Sequence, residues 1–261
     1  MKILLKLLQI IFCAYAFVTF VICMLLVFPF AVVASFWGRT VGGNFLYMIC
    51  RIWADVWFFT IGIFHKNIFE EPLEKDKQYI FVANHISYLD IPIIFKAIRK
   101  RPIRVLGKSE MKTIPIFGFI YSFGAVMVDR GNAEKRAQSV RHLKSILKRG
   151  ISIFIFPEGT FNETHHPLKD FYDGAFRIAI ETKTPIKPIL FLDGYDRMHF
   201  KSILSLTPGR SRSIFLEEVS VEEFSLKEVA VLRKKVYELM AEKLLEYRAT
   251  WIKEPIARQL G

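Results

Sequence analysis

The stretch Tyr79-Ile80-Phe81-Val82-Ala83-Asn84-His85-Ile86-Ser87-Tyr88-Leu89-Asp90 decides how this chain is read. An apolar, β-forming run ends at a polar turn, and a second apolar run, Ile91-Pro92-Ile93-Ile94-Phe95, leaves it. That pattern predicts a buried strand, a turn, and a helix starting around the aspartate. The turn thus carries a histidine and a carboxylate at the point where a strand stops and a helix begins, the edge where reactive groups collect in open α/β sheets. Taken alone, the same residues also describe an aspartate helix cap beside a surface histidine.

Outward from this stretch the chain keeps alternating. Short apolar runs at 79–83, 103–106, 125–128, 151–156, 186–192 and 213–216 read as strands. Helical patterns lie between several of them. The one at 133–149 carries Val140, Leu143, Ile146 and Leu147 on one face and lysine and arginine on the other, with Gly150 as its C-cap. A last helix at 226–247 bears Val229, Leu232, Val236, Met240 and Leu244 at three- and four-residue steps, which makes it a covering helix. The fold class expected is α/β: a layered domain with a central, mostly parallel mixed sheet flanked by helices.

The N-terminal part differs. Residues 7–38 hold no charge, with Lys2 and Lys6 before them and Arg39 after. A helix of roughly 20 apolar residues crosses a bilayer, so this run is long enough to do so with tilt. It also exceeds the roughly 7–15 apolar residues of a secretory signal, and no Ala-x-Ala site closes it. A second apolar segment at 45–64 has Arg51 and Asp55 as its only charges, spaced to pair on one helix face. Buried charge is costly in lipid, so this helix is expected at the interface or against protein, with Trp53 and Trp57 at headgroup level. Residues 1–68 are therefore assigned to a membrane anchor of two apolar helices, and 69–261 to the layered domain.

Composition agrees. The 261 residues are 52% hydrophobic with a formal charge of +12. Mean hydropathy is +0.28 and the isoelectric point is near 9.6. Apolarity joined to basicity suits an anionic membrane surface or acidic substrates, and no nucleic-acid-binding signature is present. Cys13, Cys23 and Cys50 lie in apolar segments with no Cys-x-x-Cys pair, and His165-His166 has no spaced partners, so neither a disulfide framework nor a metal site is expected.

Three further polar clusters follow strand-like runs: Lys108-Ser109-Glu110, Asp129-Arg130-Gly131-Asn132, and Phe156-Pro157-Glu158-Gly159-Thr160. Strands of one parallel sheet bring such ends to the edge that holds His85 and Asp90.

With these residues in view, the chain resembles the glycerolipid acyltransferase family, whose best-known members are the 1-acyl-glycerol-3-phosphate (lysophosphatidic acid) acyltransferases. Asn84, His85, Ser87 and Asp90 match its Asn-His-x-Ser-x-x-Asp block. Lys108, Glu110, Pro115 and Gly118, then Asp129 and Arg130, match the second block; Phe156 through Thr160 match Phe-Pro-Glu-Gly-Thr; Pro185-Ile186-Lys187-Pro188 match the fourth. The resemblance covers about 79–192, in the family's order and spacing.

It implies an O-acyltransferase that moves a fatty acyl group from a thioester to a lysolipid hydroxyl, making phosphatidic acid from 1-acyl-glycerol-3-phosphate. His85 is then the general base and Asp90 its orienter, since an alcohol is a poor nucleophile until a base takes its proton. Asn84, Ser87, Lys108, Arg130, Glu158, Gly159 and Thr160 are the expected substrate-binding residues. Gly159 and Thr160 are expected to offer backbone N–H groups to a phosphate or oxyanion, and Ser87 to cap the helix start. No Gly-x-Ser-x-Gly elbow is present, so direct attack by the acceptor is expected.

No metal or resident cofactor is implied. Acyl-CoA or acyl-carrier protein is a donor substrate, a lysolipid the acceptor, and the expected place is the cell membrane with the catalytic domain on the cytoplasmic side. One departure stands out: the third block usually continues with Arg-Ser, the arginine meeting the acceptor's phosphate, and here Phe161 and Asn162 follow. Lys108, Arg130, Lys169 or Arg177 then takes that role, or the acceptor is another lysolipid, a lysophospholipid or an amino-acid lipid. The distant alternative is a non-catalytic membrane-associated lipid-binding protein.

Overall fold

The computed structural model describes residues 2–128 and 133–253. The expected cluster at 129–132, Arg130 included, lies outside the described residues. Among those described, seven strands form one sheet: β1 (Ile63–Phe69), β2 (Ile80–Ala83), β3 (Ile103–Lys108), β4 (Ala125–Val128), β5 (Ser152–Ile155), β6 (Ile186–Phe191) and β7 (Gly209–Phe215). Their order is β1-β7-β6-β2-β5-β3-β4, and every neighbouring pair is parallel except β6 with β7. The sheet is mixed and mostly parallel.

β2, β5 and β6 are buried at every position, so they read as mostly apolar runs, broken only by Ser152 in β5 and Lys187 in β6. Their side chains alternate between two cores. Ile80, Val82, Ile153, Ile155, Ile186 and Leu190 face α5 (Ala133–Lys148), α6 (Gly174–Thr182) and α8 (Val229–Glu246). Phe81, Ala83, Phe154, Ile189 and Phe191 face the other way, toward α1 (Lys2–Ser35), α2 (Gly43–Thr60), α3 (Asp90–Ala97) and α4 (Phe117–Gly124). The stripe expected on the covering helix is the buried face of α8: Val229, Leu232, Val236, Met240 and Leu244. Gly150 follows α5 with φ +79° and its N–H bonds back to Leu147 O, as its reading as a cap requires.

Three expectations need correction. The apolar segment at 45–64 is not one helix: α2 ends at Thr60, Gly62 turns the chain at φ +65°, and β1 follows as an edge strand paired with β7. β1 contains His65, Lys66 and Asn67, so hydropathy does not reveal it, and it runs across the expected boundary between 68 and 69. Second, Asp55 does not pair with Arg51; it accepts from Lys96 of α3 and, at 2.8 and 2.7 Å, from both Nη atoms of Arg99, which fastens α2 to the domain. Third, Trp53 and Trp57 are buried against Phe20 of α1, with Trp57 Nε1 donating to Ala16 O at 3.1 Å, so they belong to the core and not to a headgroup layer.

α1 and α2 form a hairpin through a π-helical turn, Gly38–Gly42. Gly42 permits the close approach, since a Cβ there would sit 1.9 Å from Ala34 O. Cys13, Ala16, Met24, Val27, Ala31 and Ala34 make the buried stripe of α1. Its other faces expose Phe17, Leu26 and Phe30, among many large apolar side chains. Among the described helices, α1 alone is long and apolar enough to cross a membrane by length and composition.

Candidate active site

β2 ends at Ala83, and the next seven residues wrap around one carboxylate oxygen. Asp90 Oδ2 accepts from His85 Nδ1 at 2.8 Å, from Ile86 N at 2.8 Å and from Ser87 N at 2.9 Å. The aspartate, in the first turn of α3, thus faces back into the turn and has no exposed surface. In the neutral imidazole, a carboxylate acceptor assigns the ring proton to Nδ1 and leaves Nε2 as the acceptor. No described protein group bonds to Nε2. The His85 side chain keeps 18% exposure.

The cluster after β5 grips the same histidine. Glu158 Oε1 accepts from His85 N at 2.8 Å, and Oε2 accepts from Lys169 N at 2.8 Å. Asn162 N donates to His85 O at 2.7 Å. Both backbone polar groups of His85 are therefore held by the Phe156–Asn162 loop, while its ring lies between Phe156, stacked at 4.1 Å, and Phe161, tilted at 4.3 Å. Burial pushes the Glu158 carboxyl up to about 8, against the two backbone N–H groups that favour its charged form.

A third segment backs the turn. After β6, Asp193 forms a two-bond pair with Arg212 of β7 at 2.9 and 2.8 Å. That pair places Gly194, which opens the short helix α7 (Gly194–Arg197), against the His85–Asp90 turn. A Cβ at Gly194 would lie 3.0 Å from Ser87 Cβ and 3.3 Å from Asp90 Oδ1, so a side chain there would disturb the pair.

The structure sorts the expected substrate-binding residues. Asn84 is 1% exposed and spends both amide atoms on Phe191, accepting from its N and donating to its O, which extends the β2–β6 ladder. Ser87 Oγ donates to Met198 O at 2.5 Å and accepts from Leu89 N at 3.0 Å. Glu158 is fully engaged as described. These three side chains are buried, and the bonds described for them are all to groups within the protein. The Gly159 N–H donates to Phe156 O in a turn with φ +73°, so the expected donor there is also occupied.

Thr160 differs: Lys169 Nζ donates to its Oγ1 at 2.8 Å, and its backbone N–H bonds to no described group. Lys108 stands exposed at the end of β3, two strands from β2 at the same edge. Arg177 is exposed on α6 and meets none of these groups. Sequence reasoning did not foresee Gly194, Met198 or the ring contact of Phe161. Asn162, noticed only as a departure, organises its loop through bonds to Thr164, His166 and Pro167.

A family model described as Acyltransferase matches residues 66–192. The 1-acyl-sn-glycerol-3-phosphate acyltransferase of Salmonella typhimurium is 32% identical over 172 residues, 64% of this chain and 67% of that protein. The chloroplastic 1-acyl-sn-glycerol-3-phosphate acyltransferase LPAT1 of Arabidopsis thaliana is 27% identical over 185 residues, 69% of this chain. The chain spans about half the length (50%) of that plant relative. In fold, the chain is similar to the crystal structure of the 1-acyl-sn-glycerophosphate (LPA) acyltransferase PlsC from Thermotoga maritima, with a TM-score of 0.74, 24% identity, and coverage of 97% of this chain and 100% of the other.

Proposed function

Because this chain belongs to the glycerolipid acyltransferase family, we propose that it moves a fatty acyl group from an acyl thioester to the free hydroxyl of a lysolipid at a membrane surface, with 1-acyl-glycerol-3-phosphate the favoured acceptor. The observation that carries this reading is the His85 ring, held by Asp90 through Nδ1 with Nε2 left open. Nε2 takes the acceptor's hydroxyl proton as the oxygen attacks the thioester carbonyl. Asp90 stabilises the imidazolium that results, and the proton then passes to the leaving thiolate. One C–O bond forms and one C–S bond breaks. General-base assistance of this kind is worth about 10²–10⁴-fold.

Ser87, the nearest hydroxyl in sequence, gives its proton to Met198 O, which favours attack by the acceptor over an acyl-enzyme. The Thr160 N–H is the candidate donor for the carbonyl oxygen as charge builds on it. Acyl-CoA or an acyl-carrier protein serves as donor substrate. An apolar slot of about 70 Å³ beside α3, walled by Trp53, Ile94, Phe95 and Phe117, suits part of an acyl chain. The exposed apolar faces of α1 suit lipid, and our reading puts the catalytic domain on the cytoplasmic side of the cell membrane, where an acyl thioester is supplied.

Phe161 favours a second reading, the same chemistry on another lysolipid. It lays an aromatic ring on His85 where the family pattern has an arginine, leaving Lys108 and Lys169 as the described cations for a phosphate. A panel of lysolipids with purified protein tests the choice. Lysophosphatidic acid is expected to be acylated fastest. Turnover of another lysolipid without it removes the first choice, and no transfer to any acceptor leaves a lipid-binding protein.

A further inference from the structure

The segment between α7 and β7 joins the catalytic turn to the first helix. At one end, Ser87 Oγ donates to Met198 O and Ser87 forms an isolated antiparallel bridge with His199. At the other, Gln9 Nε2 and Cys13 Sγ of α1 both donate to Leu206 O. Between these ties stands a single 3₁₀ turn, Ile203–Ser205, set by the Ser202 hydroxyl, which accepts from Leu204 N at 3.1 Å.

The turn's two large side chains face outward: Ile203 is 58% exposed and Leu204 51%. Isolated exposed apolar residues are ordinary, but these adjoin a larger apolar surface. Residues 3–8 of α1 are exposed on every side just beyond Gln9, and Phe17 follows on its outer face at 63%. In sequence, exposed Lys201 precedes the turn, and Arg210, whose side chain is 68% exposed and pairs with Asp193 at 3.8 Å, follows it. An exposed apolar tip next to Lys201, on a chain of formal charge +12, matches an anionic lipid interface. Phe200, in the same segment, lies 6.4 Å from Phe161, which covers His85.

We propose that the Ile203–Ser205 turn is a second membrane contact, inserted into lipid beside α1, and that it seats the His85 turn at the bilayer surface so that a lysolipid reaches Nε2 without entering water. This rests on the reading of α1 as lipid-embedded. The mechanical link is the pair of ties: what the lipid does to Leu204 is felt at Leu206 by α1 and at Met198 by Ser87.

The test uses the full chain with Cys23→Ser, since Cys13 and Cys50 are buried, reconstituted in phosphatidylcholine–phosphatidylglycerol vesicles. Nitroxide labels are placed singly through Leu204→Cys, Phe17→Cys and, as an aqueous control, Glu223→Cys. The label at 204 is expected to be relaxed by oxygen in preference to a water-soluble nickel chelate, like that at 17 and unlike that at 223. If 17 reads lipid and 204 reads water, the second contact is wrong while the anchor stands; if 17 reads water, the anchor reading itself fails. In parallel, Ile203→Ser with Leu204→Ser is expected to slow transfer to a vesicle-embedded lysolipid about tenfold, with transfer to a short-chain soluble lysolipid within about twofold. Equal loss on both acceptors, or no loss, overturns the proposal.

Discussion

Two acid–base pairs, each with one wholly buried member, sit against the same central strands, and they differ in what they leave open. Toward the start of β6, Lys187 is wholly buried and its amine meets Glu71 Oε2, which also accepts from Glu218 N at 2.8 Å. At the other end of these strands, Asp90 is wholly buried and meets His85. In the first pair the cation's charge is answered by its partner, and the result is a fastening between β6 and the loop after β1. In the second, the partner is an imidazole with two nitrogens. Asp90 engages one, and the surrounding amides and rings orient the other toward a reactant. Burial of charge therefore does not by itself mark a site; a buried pair that leaves a lone pair facing outward does.

Changing each pair should separate these roles. Asp90→Asn keeps an oxygen for the Ile86 and Ser87 amides but no longer fixes the proton on Nδ1. Transfer rate is expected to fall about 10³-fold or more, with thermal unfolding little changed. A variant of near-normal rate would mean that Asp90 only shapes the turn.

Next comes the pH response of the grip on His85. The Glu158 carboxyl lies above its unfolded value, so the folded protein holds that proton more tightly than the unfolded chain. Its stabilising contribution is complete below about 4.5 and is lost as pH rises through about 8, a change on the order of 5 kcal/mol. Denaturant unfolding across that window should show the decline in the native protein and not in Glu158→Gln. Parallel curves for the two would place the titration elsewhere.

The smallest effect belongs to the closed pair. The Lys187 amine holds the Glu71 carboxyl below the usual carboxylate range. Glu71→Gln strands a buried ammonium, yet Glu71 itself is 41% exposed, so the loss is discounted to about 2 kcal/mol. The melting temperature should drop while the rate per folded molecule holds. A variant losing rate in step with Asp90→Asn would erase the distinction drawn between the pairs.

Much of this was legible in the residues. β2, β5 and β6 are buried on both faces, and they are made almost wholly of apolar residues such as Ile80–Ala83, with Lys187 and Ser152 the polar members, so their strands announce themselves. The α8 stripe is read as easily, because a helix with one wet face shows its period. β1 stayed hidden: an edge strand with His65, Lys66 and Asn67 needs only its partner β7 to form, and no local pattern encodes that partner. The site was legible in its residue types and not in their directions. Asn84, Ser87 and Glu158 are polar residues beside a reactive histidine, as substrate ligands would be. Only the fold reveals that they turn inward, to Phe191, Met198 and the His85 amide. Phe161 reads as a missing arginine in sequence and as a wall of the imidazole in space.

The central claim is that His85 Nε2 takes the acceptor's proton, and His85→Ala tests it most directly. With acyl thioester and lysophosphatidic acid supplied, and folding confirmed by circular dichroism, the purified variant is expected to lose acyl transfer by about 10³-fold or more. Transfer at the native rate would contradict the account.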